Sequence, residues 1–249
     1  VIMEIFVDLL IAITKIFGGN LGITIIVIGV ASRVVFYPFL KSSLKQNQIL
    51  KELKPNLDHA KQKHGTNKQK LAEEQARIYK EAGFNPAAGC LAPIVQLVVA
   101  IILFNALQSL INTKGIDPHF LIWDLRFPDL LGKTLGLTGF AGALPGILVV
   151  LTAIVTLFQS KMMLPEPVPF EKKDSLKEVE KKEGLSEALA SSQGQFVYLF
   201  PLMILFTGRL FPSGLALYWL VSTIVGLFQQ YNISGLGGLK PWVKFLQKN

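Results

Sequence analysis

The sequence predicts an all-α polytopic membrane protein: five transmembrane helices, a helical hairpin outside the bilayer and an N-terminal amphipathic helix. Three observations carry that prediction. Of the 249 residues, 51% are hydrophobic and mean hydropathy is positive, which soluble domains rarely show. The apolar residues come in blocks of roughly 20, the length that crosses a bilayer core. The net charge of +8 is gathered mainly in one segment, residues 41–80, with ten Lys and Arg.

Residues 1–17 (VIMEIFVDLLIAITKIF) are too polar to span. Glu4, Asp8 and Lys15 repeat at helical spacing on one face, and Ile2, Ile5, Phe6, Leu9, Ile13 and Ile16 fill the other. That pattern fits a helix lying flat in the membrane interface, or equally a short helix packed on the bundle. Early acidic residues, with no basic stretch before the apolar run, speak against a signal peptide. Gly18-Gly19-Asn20 breaks the pattern. The first span is expected at about 22–39, with Pro38 and Lys41 at its exit.

Between 41 and 84 sparse apolar residues such as Leu44, Leu53, Leu57, Leu71 and Ile78 recur at helical spacing. His64-Gly65-Thr66-Asn67 reads as the turn of a hairpin. The second span is expected at about 87–110, opened by Asn85-Pro86. Residues 111–140, with Trp123, Phe127 and Pro128, predict an interfacial loop with short helices. A third span at about 142–162 leads into a Pro- and charge-rich linker, 163–195. The fourth span, about 196–211, and the fifth, about 215–233, are joined by the tight turn Pro212-Ser213-Gly214. A basic tail, 236–249, ends the chain. All of this reads as one membrane domain, and no internal repeat is visible.

Charge sets the expected topology. With five spans, the hairpin, linker and tail share one side and carry nineteen Lys and Arg, counting Lys161. The other side holds Lys15, Lys114, Arg126, Lys133 and Arg209. The positive-inside rule places the first group in the cytoplasm and the N-terminus outside. Topology alone accounts for the basic cluster, so DNA is not an expected partner; contact with ribosomal RNA stays open.

Arg33 is the sharpest feature. Counting back from Lys41 at about 1.5 Å per residue places it roughly 12 Å inside the span. A guanidinium at depth costs at least ~2.5 kcal/mol in lipid. Arg33 either snorkels back to the headgroups or faces a water-filled cavity inside the bundle, its charge open to an acidic or polar partner. No Asp or Glu lies in the five expected spans, which argues against an ion pair and against a proton relay. His59, His64 and His119 lie outside the spans, and no metal-ligand spacing or nucleophile–base set is present. The expectation is a protein that is not an enzyme and holds no metal or cofactor. The single cysteine, Cys90, excludes an intramolecular disulfide and reads as a packing residue.

Other polar residues enter the spans: Gln96 and Asn105, then Thr152, Thr156 and Gln159, then Ser222, Thr223, Gln229 and Gln230. Each alone reads as interhelical glue. Together with Arg33 they would line one hydrophilic surface open to the cytoplasm. Thr152, Thr156 and Gln159 share a helical face, as do Trp219, Thr223 and Gly226.

At this point the residues resemble a known family. Asn85-Pro86-Ala87-Ala88-Gly89-Cys90 followed by Gln96 resembles the signature opening the second core span of YidC-type membrane protein insertases. Phe211-Pro212-Ser213-Gly214-Leu215 with Tyr218-Trp219 is similar to their signature between the last two spans. Arg33 with Tyr37-Pro38, and Gln229-Gln230, match the first and last spans. Two family prolines are replaced, by Ala92 and Val98, with Pro93 one place later. The likeness is to the compact bacterial forms without a large extracytoplasmic domain.

The resemblance implies insertion and folding of nascent membrane proteins, alone or with the Sec translocon, in the bacterial plasma membrane without nucleotide or metal. It implies a groove around Arg33, open to cytoplasm and lipid, with Gly29, Gln159, Tyr218 and Trp219 near the substrate path; Gln96 and Thr223 join the expected groove as polar residues of the spans. The hairpin would recruit substrates and the basic tail would meet the ribosome; the signal recognition particle receptor is a further implied partner. Two other readings compete: an anion channel or transporter using Arg33, and a membrane-bound assembly chaperone without autonomous insertion.

Overall fold

The computed structural model describes residues 2–64, 67–110, 113, 115–164 and 197–243. Most of the expected linker (165–195), the first residue of the expected fourth span (196), two residues of the expected hairpin turn (65–66) and the end of the tail (244–249) lie outside the described residues, as does the side chain of Cys90.

α1 (Ile2–Ile16) turns into α2 (Leu21–Val35). Asn20 caps α2, its side-chain oxygen accepting from the Ile23 N–H at 3.1 Å and satisfying an orphan donor of the helix start. α1 packs on α2 and α5. Its packed face runs through Phe6, Val7, Leu10 and Ile11, while Ile5, Leu9 and Ile16 are exposed. The apolar stripe expected from spacing is thus rotated by about one residue. Apolar side chains cover more than half of this helix, so either stripe can be seated, and Leu10 is the one that enters the core.

α2 stops at Phe36. Pro38 has no N–H to offer the Val34 carbonyl. The Phe36 N–H instead turns back to Ser32 and Val34, and α3 (Tyr37–His64) leaves at an angle of 59°. Tyr37, Pro38 and Phe39, at the end of the expected first span 22–39, form the first turn of α3. α4 (Lys68–Glu81) returns along α3, capped by Asn67, whose side chain accepts from the Lys70 N–H at 3.1 Å.

α5 (Pro86–Leu110) begins on a proline, well suited to the first helical position. The Asn85 N–H donates to Gln46 Oε1 at 2.8 Å and ties this start to α3. The following loop holds an antiparallel hairpin, β1 (His119–Phe120) with β2 (Trp123–Asp124), and two short helices, α6 (Leu131–Leu135) and α7 (Gly139–Gly142). Two-residue strands leave no periodicity to read, so residues 111–140 predict only short helices in the sequence. α8 (Ile147–Met163), α9 (Val197–Leu210) and α10 (Ser213–Ser234) complete the bundle.

α10 is the central helix and packs on α2, α8, α3 and α5. The main core gathers Leu10, Leu21, Ile25, Leu103, Leu107 and Tyr218 from four helices, and a second cluster joins Val149 and Ala153 to Ile204. Outward faces of α8 and α9 stay apolar, with Ile154, Phe158, Leu202 and Phe206 exposed. Among the described residues no single helix is both long and apolar enough to cross a membrane. The bent pair Leu21–Val35 with Tyr37–Leu53 passes that test together, and Val95–Leu110, Ile147–Met163 and Val197–Leu210 are shorter apolar helices.

Candidate functional site

Arg33 lies three residues before the α2–α3 break, and its guanidinium crosses α10 at Gly226. A Cβ at Gly226 would sit 2.8 Å from Arg33 Nη1, 2.9 Å from its Cζ and 2.6 Å from Gln159 Nε2. The glycine therefore seats two side chains at once, one from α2 and one from α8. One turn further on, two adjacent glutamines hold the same pair by the backbone. Gln229 Nε2 donates to the Arg33 carbonyl at 3.0 Å, and Gln230 Nε2 donates to the Gln159 carbonyl at 3.5 Å. Neighbouring positions on a helix point about 100° apart, so this dipeptide reaches two flanking helices.

A polar layer continues from Arg33 towards α5. Gln96 Nε2 donates to Ser222 Oγ at 3.3 Å, and the Tyr218 hydroxyl meets the side chains of Ser32 and Gln96. Ser32, Arg33, Gln96 and Tyr218, with the apolar side chains of Phe36 and Phe39, border a cavity of about 30 Å³. That volume admits water but no polypeptide. Arg33 Nε and Gln229 Oε1 are buried without a hydrogen-bond partner. No carboxylate among the described residues acts on Arg33. The site thus presents a fixed cation, a spare donor and a spare acceptor beside apolar walls. Among the described residues no cluster of His, Cys, Asp or Glu has the makings of a metal site.

Both ends of the helices around this layer are fastened. On the α3 side, Gln48 Nε2 donates to the Ile233 carbonyl at 3.0 Å and Lys51 Nζ to the Met162 carbonyl at 3.4 Å. A cation at a helix C-terminus opposes the negative end of its dipole. On the opposite side, buried Asp129 accepts from Leu148 N (2.7 Å), Val149 N (3.2 Å), Trp123 Nε1 (3.0 Å) and Thr134 Oγ1 (2.9 Å). It caps the α8 N-terminus, and Gly146 leaves the space its carboxylate occupies. The tight turn before α10 docks on the same loop: Ser213 N donates to the Phe127 carbonyl at 2.8 Å and Gly214 N to that of Leu125 at 3.1 Å. Arg126 grips Asp124 through Nε and Nη2 at 2.9 and 2.7 Å, which holds that carboxyl below its usual range.

Residues 12–236 match the family described as 60Kd inner membrane protein. The chain is 29% identical over 236 residues to the membrane protein insertase YidC of Fusobacterium nucleatum, covering 95% of this chain and 97% of that one. The corresponding insertase of Halalkalibacterium halodurans is 27% identical, with 91% of this chain and 75% of the relative covered. For that of Nitratidesulfovibrio vulgaris the values are 28%, 86% and 34%. This chain belongs to the YidC-type insertase family. It spans nearly the whole of one such relative and about a third of another.

The structure brings together some of the residues expected along a YidC-type groove and separates others. Arg33, Gln96 and Tyr218 border one cavity, and Gln159 meets Arg33 over Gly226. Gly29 is a packing position: a Cβ there would lie 3.0 Å from Val221 Cγ1 on α10. Trp219 turns away from the cavity and packs on Phe200 of α9, ring centroids 5.7 Å apart. Thr223 is buried within the helix packing, and the Thr152 and Thr156 hydroxyls donate to carbonyls one turn back in α8, each at 2.7 Å. Asn105 is exposed and bonds the Ile101 carbonyl. Ser32 and the seat at Gly226 were not singled out as site residues. A glycine carries no chemistry of its own, and the signal at Gly226 is its place on the helical face it shares with Trp219 and Thr223.

Proposed function

We propose that this chain inserts nascent membrane proteins into the bilayer and helps them fold, through a hydrophilic intramembrane groove carrying Arg33. The observation that carries this reading is the Arg33 guanidinium, seated over Gly226 beside Gln159 with a buried unpaired Nε and no carboxylate partner among the described residues. A polar segment entering such a groove finds a cation and hydrogen-bonding groups where hydrocarbon would otherwise stand. Long-range attraction favours acidic segments, and low local dielectric strengthens it. α2 has 15 residues and covers about 22 Å, short of the ~30 Å hydrocarbon core. The bend at Phe36 brings α3 out at that depth, which shortens the apolar path.

On this reading the α3–α4 hairpin and the basic tail face the cytoplasm, with the N-terminus outside. The hairpin receives substrates, the tail meets the ribosome, and the Sec translocon and the signal recognition particle receptor are partners in delivery. A membrane-bound chaperone that never inserts its clients would use the same contacts, so the test is activity. The full chain, reconstituted alone in liposomes, is expected to insert a single-span substrate with an acidic tail above the level of empty liposomes. Insertion at the empty-liposome level would sink the autonomous activity. Arg33→Ala is expected to weaken acidic-tailed substrates by roughly tenfold (about 1.4 kcal/mol), and Arg33→Lys to largely preserve them. An equal loss for neutral tails would instead make Arg33 a structural residue.

A further inference from the structure

The β1–β2 hairpin has an unusual tip. Its two turn residues are Leu121 and Ile122, 81% and 61% exposed. Leu121 has φ +54°, the single positive φ outside glycine among the described residues. Two-residue hairpins that face water place Gly, Asn or Asp at such a position, because a branched side chain is strained there. Here the strained slot holds leucine and points it outward. A residue that is disfavoured by its backbone and by water together calls for an apolar medium around it.

The stem below the tip is rigid. Phe120 fills the space that Gly22 leaves on α2, and Asn20 Nδ2 donates to the His119 carbonyl at 3.1 Å. Trp123 donates to Asp129, the cap of α8. The surroundings are apolar with cations at the rim. Ile16, three residues before Gly19, whose carbonyl accepts from the Asp117 N–H at 2.8 Å, is exposed as well. Phe127 is half exposed, with Lys133 Nζ 4.2 Å and Arg126 Cζ 5.6 Å from its ring. Amphipathic side chains of this kind sit at headgroup level, body in the apolar layer and charge towards phosphate.

We propose that the Leu121–Ile122 tip is a wedge inserted among phospholipid acyl chains, in the leaflet opposite the α3–α4 hairpin, and that its stem fixes the depth of α8 and α2 in the bilayer. The lipid is the occupant because this end continues the exposed apolar faces of a membrane-protein bundle, and because the flanking charges suit headgroups. The inference rests only on the chain residing in a membrane, so its failure leaves the insertase reading untouched.

Nitroxide labels on Leu121→Cys and Ile122→Cys test it, with the full chain reconstituted alone in phosphatidylethanolamine–phosphatidylglycerol vesicles. The labelled unsubstituted chain is the blank for Cys90, and Ala76→Cys on exposed α4 is the aqueous reference. Relaxation by oxygen relative to a water-soluble nickel chelate is expected to be at least several-fold higher at 121 and 122 than at 76. Equal ratios at all three positions would overturn the proposal. So would a label that leaves water only when a second protein is added, which would make the tip a protein-docking site. Leu121→Gly, which suits φ +54° and removes the side chain, is expected to hold or raise the melting temperature in detergent. In vesicles it should shift the label at Ile122→Cys towards water; an unchanged depth would mean that Leu121 does not hold the tip in the lipid.

Discussion

Asp129 and Arg33 are both charged side chains set into the bundle, and their surroundings differ in kind. Asp129, at the α8 N-terminus, accepts four hydrogen bonds between 2.7 and 3.2 Å, two from backbone and two from side chains. Arg33, at the C-terminal end of α2, has a buried Nε with no partner, and Oε1 of Gln229, whose Nε2 donates to the Arg33 carbonyl, is buried and unpaired too. The first arrangement uses its charge up locally: it closes one end by joining a loop to a helix start. The second leaves donors and acceptors unspent where a transient guest can use them. An unsatisfied buried polar atom costs about 1–3 kcal/mol. Arg33 and Gln229 each keep one such atom, whereas all four bonds to Asp129 are made.

Breaking the bonded end should have the largest effect on stability. Asp129→Ala removes all four bonds and leaves the Leu148 N–H and the Trp123 indole N–H without their acceptor. The expected loss is about 3 kcal/mol, a fall of roughly 6–12 °C in melting temperature in detergent. Preference for acidic over neutral tails in insertion should survive in whatever fraction stays folded, because Arg33 is untouched. A melting temperature equal to that of the unsubstituted chain would show that the outer loop is held by something else.

The unpaired end should respond in the opposite sense, with little change in stability and a clear change in activity. In Gly226→Ala the new methyl meets the ends of two flexible side chains, so Arg33 and Gln159 can shift aside. The expected stability loss is about 1 kcal/mol, while insertion of acidic-tailed substrates should drop several-fold as the guanidinium leaves its seat. In the Arg33→Ala background the same glycine substitution should be nearly silent for insertion. A double-mutant cycle measures that coupling, and strict additivity would separate the two residues.

The two regions were also unequally legible. Arg33 and Gln96 stand out because a polar group in an apolar block is costly, Tyr218 enters only with the family signature, and the structure joins all three around one cavity. Trp219 shares helical neighbours with Tyr218 but faces α9, since adjacent residues on a helix diverge by about 100°. The roles of Gln229 and Gln230 were visible only as interhelical glue, because the carbonyls they choose depend on how α2 and α8 approach α10. Asp129 escaped notice for a simpler reason. It lies 19 residues before Leu148, whose N–H it accepts, and a cap contributed from a distant loop leaves no trace at the helix start itself. The hairpin at 119–124 was missed likewise, its strands being two residues long.

The smallest effect expected is in the acid limb of stability, and it again distinguishes the ends. Hydrogen bonding and charge from Arg126 lower the Asp124 carboxyl in the folded protein, against an ordinary value of about 3.9 when unfolded. A carboxyl lowered by folding adds stability above its unfolded value, and that contribution fades as pH falls through the folded one. The Asp124–Arg126 pair should therefore help at pH 5–8 and stop helping in stronger acid. Asp124→Asn is expected to melt slightly below the unsubstituted chain across pH 5–8, with the two curves converging as pH falls below the ordinary carboxyl range. Melting curves at a series of pH values check this. A gap that persists undiminished at the acid end would mean that the side chain acts through packing and neutral hydrogen bonds. Convergence would show that charge pairing helps to close this end, whereas no such carboxylate is paired with Arg33 among the described residues.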